Sequence, residues 1–284
     1  MPEKAKHHSE SDSEKAERKL DLPRIERALQ AAGKVLEEFQ SGATPVGRKI
    51  GREIVTAADH RVNERLREIL TQEGEGWLSE ETTDDLARLQ RRRVWIVDPL
   101  DGTREFVAGI PEWCVSIGLV EDGRAVAGGI LNPATGEVFL GSVETGVTRN
   151  GKAVSTRTNR ELQDMLVLAS RSEAGRGEWT CLRDAPFRVQ PMGSVAYKLA
   201  RVAAGLADAT WTFTPKHEWD VVAGAALVRS AGGLVMTPDG REPTWNRPEP
   251  FLKGLMAFAA EGAEALLEYL RATHGASGRP TPGA

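Results

Sequence analysis

Two aspartates three residues apart, Asp98 and Asp101, stand after the apolar run Trp95-Ile96-Val97, and Gly102-Thr103 follows them. The short β-branched run reads as a buried strand that stops at the Asp98-Pro99 turn, which puts both carboxylates at a strand's carboxyl end. Like charges buried side by side repel, and burial disfavours both unless cations neutralise them. A divalent cation would do so. Because the donors are all oxygens, hard Mg²⁺ suits them better than zinc, and the Leu100 carbonyl can add a further oxygen where the turn exposes it. The backbone N–H groups of Gly102 and Thr103 would then lie beside the metals, placed to cradle a phosphate, and Thr103 adds a hydroxyl.

Other acids have ordinary explanations when read one at a time. Asp59 follows Thr56-Ala57-Ala58, and that spacing suits a capping box at the first turn of a helix. Glu80 and Glu81 follow Ser79 before a polar loop, where adjacent glutamates are usually a solvated surface. Asp220 opens a helix dense in small residues, Ala223-Gly224-Ala225-Ala226. A helix N-terminus favours a carboxylate, so a capping role and a ligand role for Asp220 are compatible. The small residues let that helix pack closely and hold its acid in place.

These acids need elements to position them. Ile25, Ala28, Leu29, Ala32, Leu36 and Phe39 recur at helical spacing and predict a first amphipathic helix from Leu22; a second is expected from about Ala57 to Leu70. After the strand at Val94 to Val97, strand-like runs from Val115 to Val154 are broken by turn signals at Glu121-Asp122-Gly123, Asn132-Pro133 with Gly136, and Asn150-Gly151. That predicts an antiparallel meander. The second half alternates: a strand at Leu166 to Ala169, a helix near Val195 to Ala204, a strand near Ala209 to Phe213, and a helix from about Asp220 to Ser230 closed by Gly232-Gly233. Strands at Leu234 to Met236 and Leu255 to Ala259 and a last helix from Ala263 to Thr273 complete it. With no internal repeat and no long linker, the expectation is one layered α+β domain over residues 22–273, in two α/β halves at about 22–155 and 156–273.

The bulk composition narrows the rest. A chain of 284 residues with 40% hydrophobic content can bury a large core, which excludes a disordered or fibrous protein. With 37 Lys and Arg against 41 Asp and Glu, and no stretch that sets basic residues beside aromatics, no polynucleotide partner is expected. Cys114 and Cys181 are too few and too isolated for a disulfide framework or a thiolate metal site, which fits a reducing cytoplasm. Residues 1–21 read as a disordered charged tail, neither signal peptide nor anchor, in which His7-His8 are solvated; 274–284 read as a second flexible tail. No apolar span reaches membrane length.

Taken in order, Val55-Thr56-Ala57-Ala58-Asp59, Ser79-Glu80-Glu81, Asp98-Pro99-Leu100-Asp101-Gly102-Thr103 and Trp219-Asp220-Val221-Val222-Ala223-Gly224 resemble the signature of the inositol-monophosphatase-like superfamily, over roughly residues 22–260. The resemblance implies a layered αβαβα sugar-phosphatase fold, about two or three Mg²⁺ ions, lithium sensitivity and a homodimer. It implies as substrate a small phosphorylated metabolite: an inositol phosphate, fructose 1,6-bisphosphate or 3′-phosphoadenosine 5′-phosphate. It also implies that Glu80, Asp98, Asp101, Asp220 and the Leu100 carbonyl are metal ligands, with Asp59 at the cluster's edge and Thr103 as polar partner of the attacking water. On that assignment Asp59 orients or deprotonates the Thr103 hydroxyl, Glu80 also holds the water, and the Gly102 and Thr103 amides stabilise phosphoryl charge. No covalent phosphoenzyme is needed.

Substrate choice turns on departures from the common pattern. Gly102-Thr103-Arg104-Glu105-Phe106 resembles the Gly-Thr-Lys-Glu-Phe of the 3′(2′),5′-bisphosphate nucleotidase branch rather than the Gly-Thr-Thr-Asn-Phe usual in inositol monophosphatases. Seven residues before Asp220, where inositol monophosphatases place a sugar-binding glutamate, stands Phe213, whose ring could pack on a nucleobase but cannot accept a polyol hydrogen bond. The loop at Lys216 adds cations that could meet a second phosphate, with surface exposure an equal account of Lys216. Gly193-Ser194 resembles the family's substrate-side helix start, whose amides face the non-reacting part of the ligand; it also suits a simple cap. The favoured substrate is 3′-phosphoadenosine 5′-phosphate, the alternative inositol 1-phosphate or another sugar phosphate, and the rival from another class a catalytically silent regulatory homologue.

Overall fold

Residues 12–39, 41–42, 48–158 and 161–275 are described by this computed structural model of the chain. His7-His8, the expected tail up to residue 11, the run from 276 and the Thr56 side chain lie outside the described residues.

Helices α1 (Asp12–Leu36) and α2 (Arg48–Leu70) pack against each other. Ile25, Ala28, Leu29, Ala32 and Leu36 of one and Ala58, Val62, Leu66 and Leu70 of the other are buried with Trp95, Val97, Val115, Ile117 and Leu119. Three- and four-residue spacing gathers each apolar set on one helix face. α1 starts at Asp12, which corrects the expected tail through residue 21: Arg18 pairs with Glu121 at 2.6 Å and buried Asp21 pairs with Arg93. Charges that read as solvated have partners on the sheet. α2 also starts early, so Asp59 stands mid-helix and not in a first turn, and the capping account of it fails.

Strands β1 (Gly76–Ser79), β2 (Arg93–Asp101), β3 (Cys114–Glu121), β4 (Arg124–Asn132), β5 (Glu137–Ser142), β6 (Gly146–Arg149) and β7 (Lys152–Val154) form one seven-stranded sheet in chain order. β1 runs parallel to β2, and the remaining neighbours are antiparallel, as the turn signals predict. β2 does not stop at Pro99. It continues to Asp101 through an irregularity, pairing Asp98 with Ser116 and Asp101 with Cys114. The extra residue on β2 is a bulge that takes up Pro99, which has no N–H for the ladder. The short helix α3 (Thr103–Ala108) follows directly.

The second sheet has the order β12-β14-β10-β8-β9. It comprises β8 (Leu166–Ser170), β9 (Arg188–Met192), β10 (Ala209–Thr212), β12 (Leu234–Met236) and β14 (Leu255–Phe258); β11 (Lys216–His217) pairs with β13 (Phe251–Leu252). Helices α4 (Arg171–Gly175), α5 (Val195–Ala203), α6 (Glu218–Ser230) and α7 (Ala263–Gly275) complete the chain. Leu199 and Val222, from α5 and α6, are buried with Ile96 and Ile130 of the first sheet and Leu168 and Ala257 of the second. On the second sheet's other face, Leu266 and Leu270 of α7 cover Val167, Trp211 and Phe258. The layers are therefore αβαβα. A Cβ at Gly118 would stand 2.5 Å from Val222 Cγ1, so glycine there lets α6 lie directly on β3. α6 begins at Glu218 with His217 as its N-cap, so Asp220 belongs to the first turn and is not itself the cap.

Candidate active site

The parallel register of β1 and β2 pairs Ser79 with Val97, so Glu80 and Asp98 emerge side by side at one carboxyl edge. The first turn of α6 adds Asp220, whose Oδ2 accepts His217 N at 3.1 Å. Carboxylate oxygens of Glu80, Asp98 and Asp220 all lie within 4.8 Å of one another, with Asp98 buried, Asp220 half-buried and Glu80 exposed. Asp98 Oδ1 accepts Leu100 N at 2.9 Å, which fixes the acid within the bulge.

Burial, then Asp101, Glu80 and Asp220, push the Asp98 carboxyl well above its ordinary range. Burial and then Asp101 push Asp220 up to about 7, with Lys216 pulling the other way. Glu80 is raised by burial, Glu81 and Asp101. Asp59, 7% exposed on α2, is pushed up to about 8 by burial, then by Glu81 and Glu80. Oxygen donors that disfavour one another's ionised forms at a partly buried edge of the sheet are a set that a hard divalent cation would hold together, so these residues fit Mg²⁺.

α2 also braces the turn that carries Glu80. Ser79 Oγ donates to Asn63 Oδ1 at 2.6 Å, and Asn63 Nδ2 and Trp77 Nε1 donate to Thr82 Oγ1 at 3.1 and 3.2 Å. Nothing local in the sequence marked Asn63, because its partners lie on another element. Asp101 is not one of the three clustered acids: its Oδ2 accepts Ser194 Oγ at 2.6 Å and Ala196 N at 2.7 Å. Thr103 Oγ1 donates to Leu100 O at 3.2 Å. Among the described residues that hydroxyl has no bond to Asp59, which faces Glu80 and Glu81 instead, so the expected Asp59–Thr103 contact is not formed. Gly193 N donates to Glu112 Oε2 at 2.6 Å. The Gly193 amide expected to face a ligand is thus taken up within the protein, as is the Ser194 hydroxyl, although both residues line the cleft.

That cleft, of about 390 Å³, is lined by Asp101, Gly102, Thr103 and Asp220 and also by Arg104, Arg171, Arg176, Lys198 and Lys216. Lys198 is buried, its Nζ donating to Ser194 O at 3.1 Å and Met192 O at 3.4 Å, and burial brings it down to about 8 against the pull of Asp101. The sequence reading missed Arg171, Arg176 and Lys198. Arg171 had a signal: it directly follows the apolar run of β8, and ligands of α/β sheets gather beyond the carboxyl ends of parallel strands. Phe213 corrects another expectation. Thr212 and Thr214 line the cleft, whereas Phe213 lines a second groove with Pro238, Pro243 and Leu252, because alternate residues of extended chain face opposite sides. It is not placed to pack on a base in the cleft.

A profile described as the inositol monophosphatase family matches residues 18–274. The inositol monophosphatase 3 of Solanum lycopersicum is 33% identical over 230 residues, covering 76% of this chain and 85% of that protein. The inositol monophosphatase of Anabaena superposes with a TM-score of 0.71 at 28% identity, over 88% of this chain and 94% of that one. CysQ from Bacteroides thetaiotaomicron, a bacterial member of the same family, gives 0.73 at 27% identity over 84% and 96%. No described helix is long and apolar enough to cross a membrane.

Proposed function

Because this chain belongs to the inositol monophosphatase family, we propose that it is a Mg²⁺-dependent phosphomonoesterase that removes the 3′-phosphate of 3′-phosphoadenosine 5′-phosphate. Phosphatases of this family act on small phosphorylated substrates and generally use Mg²⁺, so the finer part of the reading is the substrate. One observation carries it: Arg104, Arg171, Arg176, Lys198 and Lys216 line the same cleft as Asp101, Thr103 and Asp220. A substrate with a single phosphate would leave a neutral polyol facing those cations, whereas a bisphosphate brings a second dianion to them.

In this reading Glu80, Asp98 and Asp220 hold the metal, with Asp101 adding negative charge beside them and the Leu100 carbonyl a further oxygen. Bound Mg²⁺ supplies charge neutralisation and acidifies a water. Thr103 Oγ1 directs its own proton at Leu100 O, so its lone pairs are left to accept a hydrogen bond from the attacking water and orient it. The amides of Gly102 and Thr103 are the donors for the phosphoryl oxygens. Asp59, pushed up to about 8 by burial and by Glu81 and Glu80, holds a proton behind them at neutral pH in the metal-free protein.

Inositol 1-phosphate is the second reading, favoured by the names of the curated relatives. Comparing kcat/KM for the two substrates with Mg²⁺ separates them. We expect the bisphosphate to lead by about tenfold or more, the worth of one charge-assisted hydrogen bond. The reverse order would move the assignment to inositol 1-phosphate, and no release from either would point to a silent homologue.

A further inference from the structure

We infer that Glu112 is a positioning residue for substrate selection: it holds the Arg171 guanidinium at the cleft, against the second, non-reacting anionic group of the substrate. The inference rests on the bisphosphate reading above. Glu112 lies between α3 and β3, and a single carboxylate oxygen, Oε2, accepts Arg171 Nη2 at 2.5 Å and Gly193 N at 2.6 Å. Its backbone is fixed as well. Gly102 has φ +97°, and a Cβ there would stand 2.9 Å from Glu112 O, so the chain at 112 lies directly on the turn between Asp101 and Thr103.

Glu112 thereby joins three parts of the cleft that come from separate elements: the Gly102 turn, Arg171 at the start of α4, and Gly193 ahead of α5. Arg171 has little else to fix it. Its side chain is 41% exposed, and its Nε, without a hydrogen-bond partner, lies 3.8 Å from Glu105 Oε1. A half-exposed guanidinium has much rotamer freedom to lose on binding an anion. A charge-assisted bond to a carboxylate that is itself pinned removes part of that freedom beforehand and leaves other N–H groups of the fork for a phosphate.

The test is the ratio of kcat/KM for 3′-phosphoadenosine 5′-phosphate to that for adenosine 3′-phosphate, which lacks the second phosphate. It is measured with Mg²⁺ on the full chain and on Arg171→Ala, Glu112→Ala, Glu112→Gln and the Glu112→Ala/Arg171→Ala double variant. The wild-type ratio should exceed one by about tenfold or more, and Arg171→Ala and Glu112→Ala should each remove most of that preference, mainly through KM for the bisphosphate. The double variant should be no less selective than Arg171→Ala alone, because both changes disable one device. Glu112→Gln keeps the volume and one acceptor oxygen, so it should fall between, and it carries the test where Glu112→Ala melts too low to assay. A Glu112 that only braces the fold would slow both substrates alike, and an undiminished ratio in its variants would overturn the inference while leaving the bisphosphate reading standing. A wild-type ratio near one would overturn both.

Discussion

Asp101 Oδ2 accepts the Ser194 hydroxyl at 2.6 Å, which joins a strand-end turn of the first sheet to the residue that opens α5. Ser194 Oγ also accepts Tyr197 N at 3.0 Å, so one serine both caps the helix and anchors the acid. It does so at φ +51°, a conformation that a residue with a Cβ adopts at a cost.

Ser194→Ala removes the hydroxyl and keeps the strained backbone, and should lose about 1–2 kcal/mol, the usual effect of deleting a cap. Ser194→Gly removes the same hydroxyl but relaxes the backbone, so it should be the more stable of the two in urea unfolding. Both should turn over more slowly, since Ala196 N alone then holds Asp101 Oδ2. Equal stability of the two variants would show that the positive φ carries no strain.

Thr103→Ala removes the hydroxyl that donates to Leu100 O. Its kcat should fall by about two to four orders of magnitude, the span for losing a group that positions a proton transfer. Steady-state kinetics would instead make Thr103 a binding residue if KM alone rose.

Metal-free stability should depend on pH in a definite direction. Asp59 and Asp220 have folded-state values near 8 and 7, raised above their unfolded values. Between about pH 4 and those values the folded chain holds protons that the unfolded chain has released, so these groups make stability fall as pH rises. Mg²⁺ would offset that loss by binding the ionised acids. Its effect on Tm should therefore be larger at about pH 8 than at about pH 6. Thermal melts with and without Mg²⁺ at both pH values check this, and a shift of the same size at each would contradict it.

How much of this was legible in the sequence depended on the range of the interactions. Asp98 and Asp101 were found because the apolar run and the proline turn that place them are local, and the meander after them followed from local turn residues. The spacing from Thr56 to Asp59 imitates a capping box and so suggests a first turn, yet α2 starts well before Thr56 and runs through both. Phe213 was assigned to the cleft by counting back from Asp220, which fixes a distance along the chain but not the side on which an extended residue points. Glu112 reads as a surface charge until the fold brings β8 beside the loop before β3, and Arg171 is marked only by its place directly after the apolar run of β8.

Glu80, Asp98 and Asp220 are proposed to form a Mg²⁺ site that serves phosphate-ester hydrolysis. Phosphate release from 3′-phosphoadenosine 5′-phosphate, measured against Mg²⁺ concentration in the wild type and in Asp98→Asn, tests it most directly. The substituted amide would keep an oxygen for Leu100 N and remove one charge from a cluster that burial already disfavours, so the variant should fold. Wild-type release should be absent in EDTA and saturate with Mg²⁺, and Asp98→Asn should lose about a hundredfold or more at every concentration. Release that continues in EDTA, or an Asp98→Asn protein as fast as wild type at saturating Mg²⁺, would contradict it.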